Sequence, residues 1–228
     1  MHGTMTTAID TDCTYRSGAA DLLRLSQWLS PAFPVSAYAY SHGLETEIAG
    51  GRVRSAAEVH DWVAAVLAAG AGRSDAILML AARRGEAGET DLADLARALA
   101  GSRERLEETE AQGRALAETL AALGIGDGVA RPYPVALGLA VRDLDLPDRI
   151  VAALCLQGFA GALVSVAVRF VPLGQAEGQR VLAALHPLIL RVAAEAEAAG
   201  LDGIGTAVFG ADLASMAHEG LEVRIFRT

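Results

Sequence analysis

Cysteine is almost missing from this chain. Cys13 and Cys155 are the only two, with no Cys-x-x-Cys pair and no Cys/His cluster. That excludes a disulfide framework and argues against a structural zinc site. Positive charge is in deficit: 19 Lys and Arg stand against 28 Asp and Glu, a formal net charge of -9. A nucleic-acid protein needs a basic face, so that class is not expected. Aromatic residues make up only 5%. Sustained alternation of β-branched residues is absent; only Leu221, Val223 and Ile225 alternate with polar neighbours, too briefly for a sheet. Met1 to Thr11 lacks a basic start and an apolar run, so no signal peptide is expected and the cytoplasm is the expected location.

Catalytic signatures are missing too. There is no GxxxxGK[ST] phosphate loop, no GxGxxG after a strand and no GxSxG elbow. The five histidines, His2, His42, His60, His186 and His218, include no pair at i,i+3 or i,i+4. No single helix therefore encodes a metal site.

What remains is rich in Ala, Leu and Val, with 52% hydrophobic residues. Such a composition suits closely packed helices. Leu22, Leu25, Trp28 and Leu29 share a helical face, and Pro31 ends that helix. Ser36 to Ile48 reads as a resumed helix stopped by Gly50-Gly51. Ser55 with Glu58 forms a capping box. Helices are also expected after Ser74, after Asp91, over Arg103 to Leu123, from Val135, through the long stretch ending at Ala199, and over Thr206 to Met216. The glutamates of Arg103 to Arg114 read as a solvated or partner-facing side. Ile150 to Val168 is almost wholly apolar. It is long enough to cross a membrane, but Ala, Gly and the mid-span Gln157 favour a buried central helix, and no second spanning stretch is expected. Gly158, Gly161, Ala162 and Ser165 would admit a close neighbour. The expected fold is an all-α, single-domain bundle of about nine or ten helices around this helix. A flexible tail is expected over 1–18, the helical domain over 19–217, and a partner-binding tail over 218–228.

Polar and aromatic groups concentrate between Ser30 and Glu45, where two prolines interrupt the helical pattern. Tyr38, Tyr40, Ser41, His42 and Glu45 gather there, as in a recognition surface. His42 and Glu45 could form an acid/base pair, which with Arg169 gives an alternative reading as a small helical hydrolase. Arg169 could instead cap the central helix or be presented to a partner. Ile225 and Phe226, flanked by arginines, suit docking into an apolar groove.

Four ordered stretches resemble the UreF family of urease accessory proteins. They are Ser30 to Val35 with Tyr40 to Glu45; Arg103-Glu104, Glu108-Thr109 and Gln112 to Arg114; Tyr133 to Val135 through Arg169 to Gln175 and Gly178-Gln179; and Ala214 to Glu219 with Arg224 to Arg227. Two positions depart from the pattern. Ser36 stands where the family often has Gly, and Gly220 to Val223 lacks the usual tail tyrosine. The resemblance implies a non-enzymatic, all-helical, dimeric chaperone without a resident cofactor. It implies that nickel is carried in transit, with UreD (also called UreH), the UreG GTPase and apo-urease as partners and UreG hydrolysis as a point of regulation. Partner-binding residues implied on this reading are Tyr38, Tyr40, Ser41, His42, Glu45, Arg169, Gln175, Gln179, His218, Glu219, Arg224, Phe226 and Arg227.

Overall fold

Pro147 opens the longest apolar helix, its missing N–H being unneeded at a helix start. The computed structural model describes the backbone of residues 11–227 and the side chains of 18–227. Among the described residues there are ten α-helices, two short 3₁₀ turns and no strand. The α-helices are α1 (Thr11–Trp28), α2 (Leu44–Ala49), α3 (Ala56–Ala69), α4 (Ala71–Arg84), α5 (Glu89–Ala98), α6 (Arg103–Ala122), α7 (Tyr133–Ala140), α8 (Asp148–Phe170), α9 (Gln175–Ala198) and α10 (Phe209–His218). The all-α bundle read from the sequence is the observed fold.

The central position of Ile150 to Val168 also holds. It lies within α8, which packs along α9 and touches α2, α3 and α4. Val151, Ala152, Ala160, Leu163 and Ala167 are almost fully buried there. One core cluster runs from Leu25 in α1 to Phe226 near the end of the chain. A smaller one joins α4, α5 and α7 through Leu78, Leu92 and Val135. Pro187 sits inside α9 without ending it. It deprives the carbonyl of Ala183 of its intrahelical donor.

Local signals account for several boundaries. Ser55 Oγ accepts the Glu58 N–H at 3.3 Å, and the Glu58 carboxylate reaches back to the Arg54 N–H at 2.7 Å. Ser102 caps α6 by accepting the Arg105 N–H at 3.1 Å. Gly113 is required where α6 meets the turn before α7: a Cβ there would lie 1.8 Å from the Arg131 carbonyl oxygen.

Other expectations need correction. The helix expected from Asp21 begins at Thr11; residues 1–10 and Thr228, and the side chain of Cys13, lie outside the described residues. Leu22 is exposed, and the buried face of α1 is Asp21, Leu25 and Trp28. The Asp21 carboxylate accepts the Asp145 N–H at 2.8 Å. Asp91 lies inside α5 rather than capping it, and α4 starts before Ser74. A second stretch, Ala56–Arg84, is also long and apolar enough to span a membrane. The two helices join into one stretch because only Gly70, of the three residues from 70 to 72, leaves the helical conformation between α3 and α4.

Candidate functional site

The stretch from Ser30 to Glu45 does not resume as a helix at Ser36. Ser36 (φ 57), His42 (φ 52) and Gly43 (φ 78) are all left-handed, so the chain makes only a short turn over Ala37–Ala39 before α2 begins. Phe33 and Val35 point into the core while Pro34 stays outside. Ser36 thus occupies, as a non-glycine, the conformation that glycine adopts most easily. Gly43 has a second reason: a Cβ would fall 2.7 Å from the Ser215 amide nitrogen, so its bareness lets α2 meet α10. Thr46 adds a hydrogen bond from its hydroxyl to the Ala214 carbonyl at 3.0 Å.

A buried ionic junction follows from this contact. His218, at the end of α10, is fully buried. Its Nδ1 lies 2.6 Å from Glu104 Oε2 and its Nε2 lies 2.9 Å from Glu45 Oε2. Both ring nitrogens thus face carboxylate oxygens, which holds the ring at both ends between α2 and α6. Arg224 donates to the other oxygen of Glu104 at 2.6 Å. Glu45 also accepts the N–H groups of Ile225 and Phe226, at 2.9 and 3.0 Å. The Arg227 N–H reaches the Ala39 carbonyl at 2.8 Å. The Phe226 ring meets Phe170 edge-on at 5.3 Å, with the Arg169 guanidinium 5.8 Å above it. The tail from His218, expected to bind a partner, is docked on its own chain through Arg227.

A second polar cluster joins the same loop to the middle of α6. His42 Nε2 lies 3.0 Å from Glu108 Oε1 and 3.0 Å from Arg105 Nη1, and Arg105 also pairs with Glu108. Burial, then the Arg105 charge, hold the His42 ring below its ordinary range, so it is neutral near pH 7. Burial alone would raise the Glu108 carboxyl, but the Arg105 charge outweighs it and pulls it down to about 2. Asp75, on α4, lies on the groove wall beside them, 4.0 Å from Arg105 and with its side chain 40% exposed. Desolvation within the groove raises its carboxyl to about 6 despite that neighbour.

This cluster forms the polar end of an apolar groove of about 520 Å³. Trp28, Leu29, Pro31 and Tyr38 wall it on one side, and Cys155, Gly158, Phe159 and Ala162 of α8 on the other. A Cβ at Gly158 or Gly161 would meet only ordinary contacts, the Leu29 carbonyl oxygen at 3.8 Å and the Leu182 side chain of α9 at 3.9 Å, so neither glycine is needed for a close approach within this chain. Burial pushes the Cys155 thiol up to about 12, leaving it unreactive, and it donates to Met79 Sδ at 3.5 Å. A smaller cavity of about 40 Å³ lies against the same His42, Asp75 and Arg105 from the α10 side.

Placed on this frame, the sequence-derived residues separate into two groups. Tyr38, Arg169, Gln175, Gln179, Arg224 and Arg227 are exposed and Glu219 is half-buried. Tyr40, Ser41, His42, Glu45, His218 and Phe226 are buried, which corrects the expectation that they form an outer face. The reason is the left-handed loop, which turns them inward against α6 and the tail. The same loop separates His42 from Glu45. The i,i+3 relation holds only in a helix; here His42 meets Glu108 and Glu45 meets His218. The proposed acid/base pair therefore does not form.

The glutamates of α6 complete both clusters, although their segment reads as solvated. Glu104 and Glu108 are 6% and 3% exposed. The available signal was the i,i+4 series Glu104, Glu108, Gln112, which continues as one buried polar stripe. Among the described residues no group of three or more His, Cys, Asp or Glu is placed to hold a metal ion. In the junction, Glu45 and Glu104 flank opposite ring nitrogens and do not converge.

Comparison with known proteins agrees with this framework. The UreF family model matches residues 53–186. The urease accessory protein UreF of Jannaschia sp. (strain CCS1) is 66% identical over 207 residues, covering 91% of this chain and 94% of that protein. Its namesake from Cereibacter sphaeroides (strain KD131 / KCTC 12085) is 61% identical over 210 residues, covering 92% of this chain and all of that protein. The namesake from Rhodopseudomonas palustris (strain BisA53) is 42% identical over 238 residues, covering 98% of this chain and all of that protein. With more than half the chain inside the family model and nearly all of it aligned to these relatives, the chain belongs to the UreF family.

Proposed function

We propose that this chain is a urease maturation chaperone, a cytoplasmic helical scaffold that links UreD/UreH to the UreG GTPase, delivers nickel to apo-urease and regulates UreG hydrolysis. The observation that carries the reading is the near-complete alignment to relatives named as urease accessory proteins. The family is named for an accessory role, not a catalytic one. The geometry supports it by committing His42 and Glu45 to internal pairs, which removes the acid/base couple of the hydrolase alternative.

Two surfaces fit scaffold work. The groove beside α8 is open, apolar and floored by small residues, which suits a helix of a second copy in a homodimer. The chain's last twenty residues carry the other. Phe209, Leu213 and Met216 share one side of α10 at 74, 64 and 50% exposure, and Val223 and Ile225 continue the apolar surface into the tail at 79 and 64%. Exposed apolar groups at this density mark protein contact, and this end is assigned to UreD/UreH. Co-purification with UreD/UreH and UreG is expected to give one stable assembly. Failure to bind either partner, with UreG empty, GDP-bound or GTP-bound, would overturn the proposal.

A further inference from the structure

Two carboxylates line the groove, and the protein treats them differently. Glu108 is buried and paired with both Arg105 and His42. Asp75, on the α4 wall, is partly open to the groove, and Arg105 at 4.0 Å is too far to donate to it. Arg105 makes its closer contacts with Glu108 and His42. Among the described residues no hydrogen bond reaches the Asp75 carboxylate, so its charge depends on water in the groove. A helix seated in the groove removes that water. The walls it closes are apolar, with Trp28, Met79, Phe159 and Leu163 among them. An ionised carboxylate without a donor is strongly disfavoured there, and the neutral acid much less so. The occupant is a second copy of the chain. Gly158, Gly161 and Ala162 form the groove floor and are also the least bulky face of α8. A two-fold contact therefore sets one α8 against the other and closes both grooves at once.

We propose that Asp75 links the groove to protons: a second copy seats with both Asp75 side chains neutral, so self-association takes up protons and is favoured by acid. The inference rests on the groove being the self-association face. In the open chain the Asp75 carboxyl titrates at about 6; desolvation raises it, Arg105 lowers it and Glu108 raises it again. Closing the groove raises it further. The dimer therefore gains as pH falls from the neutral range toward 6, and gains nothing more once both forms are protonated. The neighbouring groups keep their charge through that window. Glu108 titrates at about 2 and stays ionised. Burial, then the Arg105 charge, keep His42 neutral. Burial keeps the Tyr133 phenol and the Cys155 thiol protonated. Asp212 of α10 is also raised by burial, but it lines the small cavity and not the groove.

Sedimentation equilibrium of the full chain at pH 7.5 and 6.5 tests this, together with calorimetric dilution in buffers of different ionisation heat. The self-association constant is expected to rise roughly tenfold at the lower pH, and dilution at pH 7.5 to release about one to two protons per dimer dissociated. Asp75→Asn carries no charge to desolvate. It should associate at pH 7.5 at least as tightly as the native chain does at pH 6.5, with no dependence on pH, while Asp212→Asn keeps the native dependence. A native constant that ignores pH, or an unaltered dependence in Asp75→Asn, overturns the proposal. Tighter native association at pH 7.5 also overturns it, and would mean that the second copy brings a donor to an ionised Asp75. Gly161→Leu fills the groove floor and tests the face itself. A dimer lost in Gly161→Leu yet indifferent to pH in the native chain overturns the role of Asp75 alone. A dimer that survives Gly161→Leu, or a native chain monomeric at every concentration, overturns the groove assignment and this inference with it.

Discussion

His218 and His42 are both buried and both lie within hydrogen-bonding distance of a glutamate of α6, yet they serve different regions. At the junction, His218 and Arg224 face Glu45 and Glu104, and both ring nitrogens of His218 are engaged. At the groove end, a neutral His42 and Arg105 face Glu108, with Asp75 4.0 Å from Arg105. The junction is closed. The groove end opens into a 520 Å³ cavity. The difference separates polar groups that fasten the chain's end from polar groups that border an open groove.

The largest expected effect tests the junction. His218→Ala leaves two buried carboxylates without the ring that both contact, and removing one partner of a buried ionic cluster costs about 3–5 kcal/mol. In a protein of this size that lowers Tm by roughly 6–20 °C. His42→Ala removes a neutral ring while Glu108 keeps Arg105, so the loss is about 1–2 kcal/mol. Thermal denaturation of both variants gives the ranking. Equal losses would show that the two histidines are equivalent and erase the contrast.

A second test uses pH at the groove end. The Asp75 carboxyl is raised from 3.8 to about 6 in the folded chain. Below its ordinary value both states are protonated. Between there and 6 only the unfolded chain has released the proton, so folding loses stability as pH rises through that window. Glu108 acts oppositely and lower: its carboxyl sits at about 2, so its contribution is present above its ordinary value of 4.5 and is lost as pH falls toward 2. Asp75→Asn should therefore be more stable than the native chain at pH 7 and gain little near pH 4. Urea denaturation at the two pH values measures the difference; an equal gain at both would mean that Asp75 is not the group titrating.

Much of this was readable from residue order. Apolar spacing placed most of the helices, Ser55 and Glu58 gave a cap, and the apolar run marked α8. The junction was not readable, because it joins residues 45, 104, 218 and 224, and no local spacing relates them. The inward turn of His42 depended on left-handed residues, of which only Gly43 announces itself by type. Glu104 and Glu108 read as surface because carboxylates are rarely buried unless paired, and their partners come from distant segments. The extra apolar stretch Ala56–Arg84 carries glycines that signal a break, yet the structure mostly keeps them helical.

The smallest expected effect isolates the rim between the two regions. A non-glycine residue in the left-handed region costs roughly 1 kcal/mol relative to glycine, partly offset because glycine loses more entropy on folding. Ser36 is exposed and its side chain caps nothing, so Ser36→Gly removes the strain without removing a contact. A net gain of about 0.5 kcal/mol is expected in urea denaturation. An unchanged or lowered stability would mean that Ser36 is held by more than its backbone conformation, and that the left-handed turn into the groove is not strained at this end.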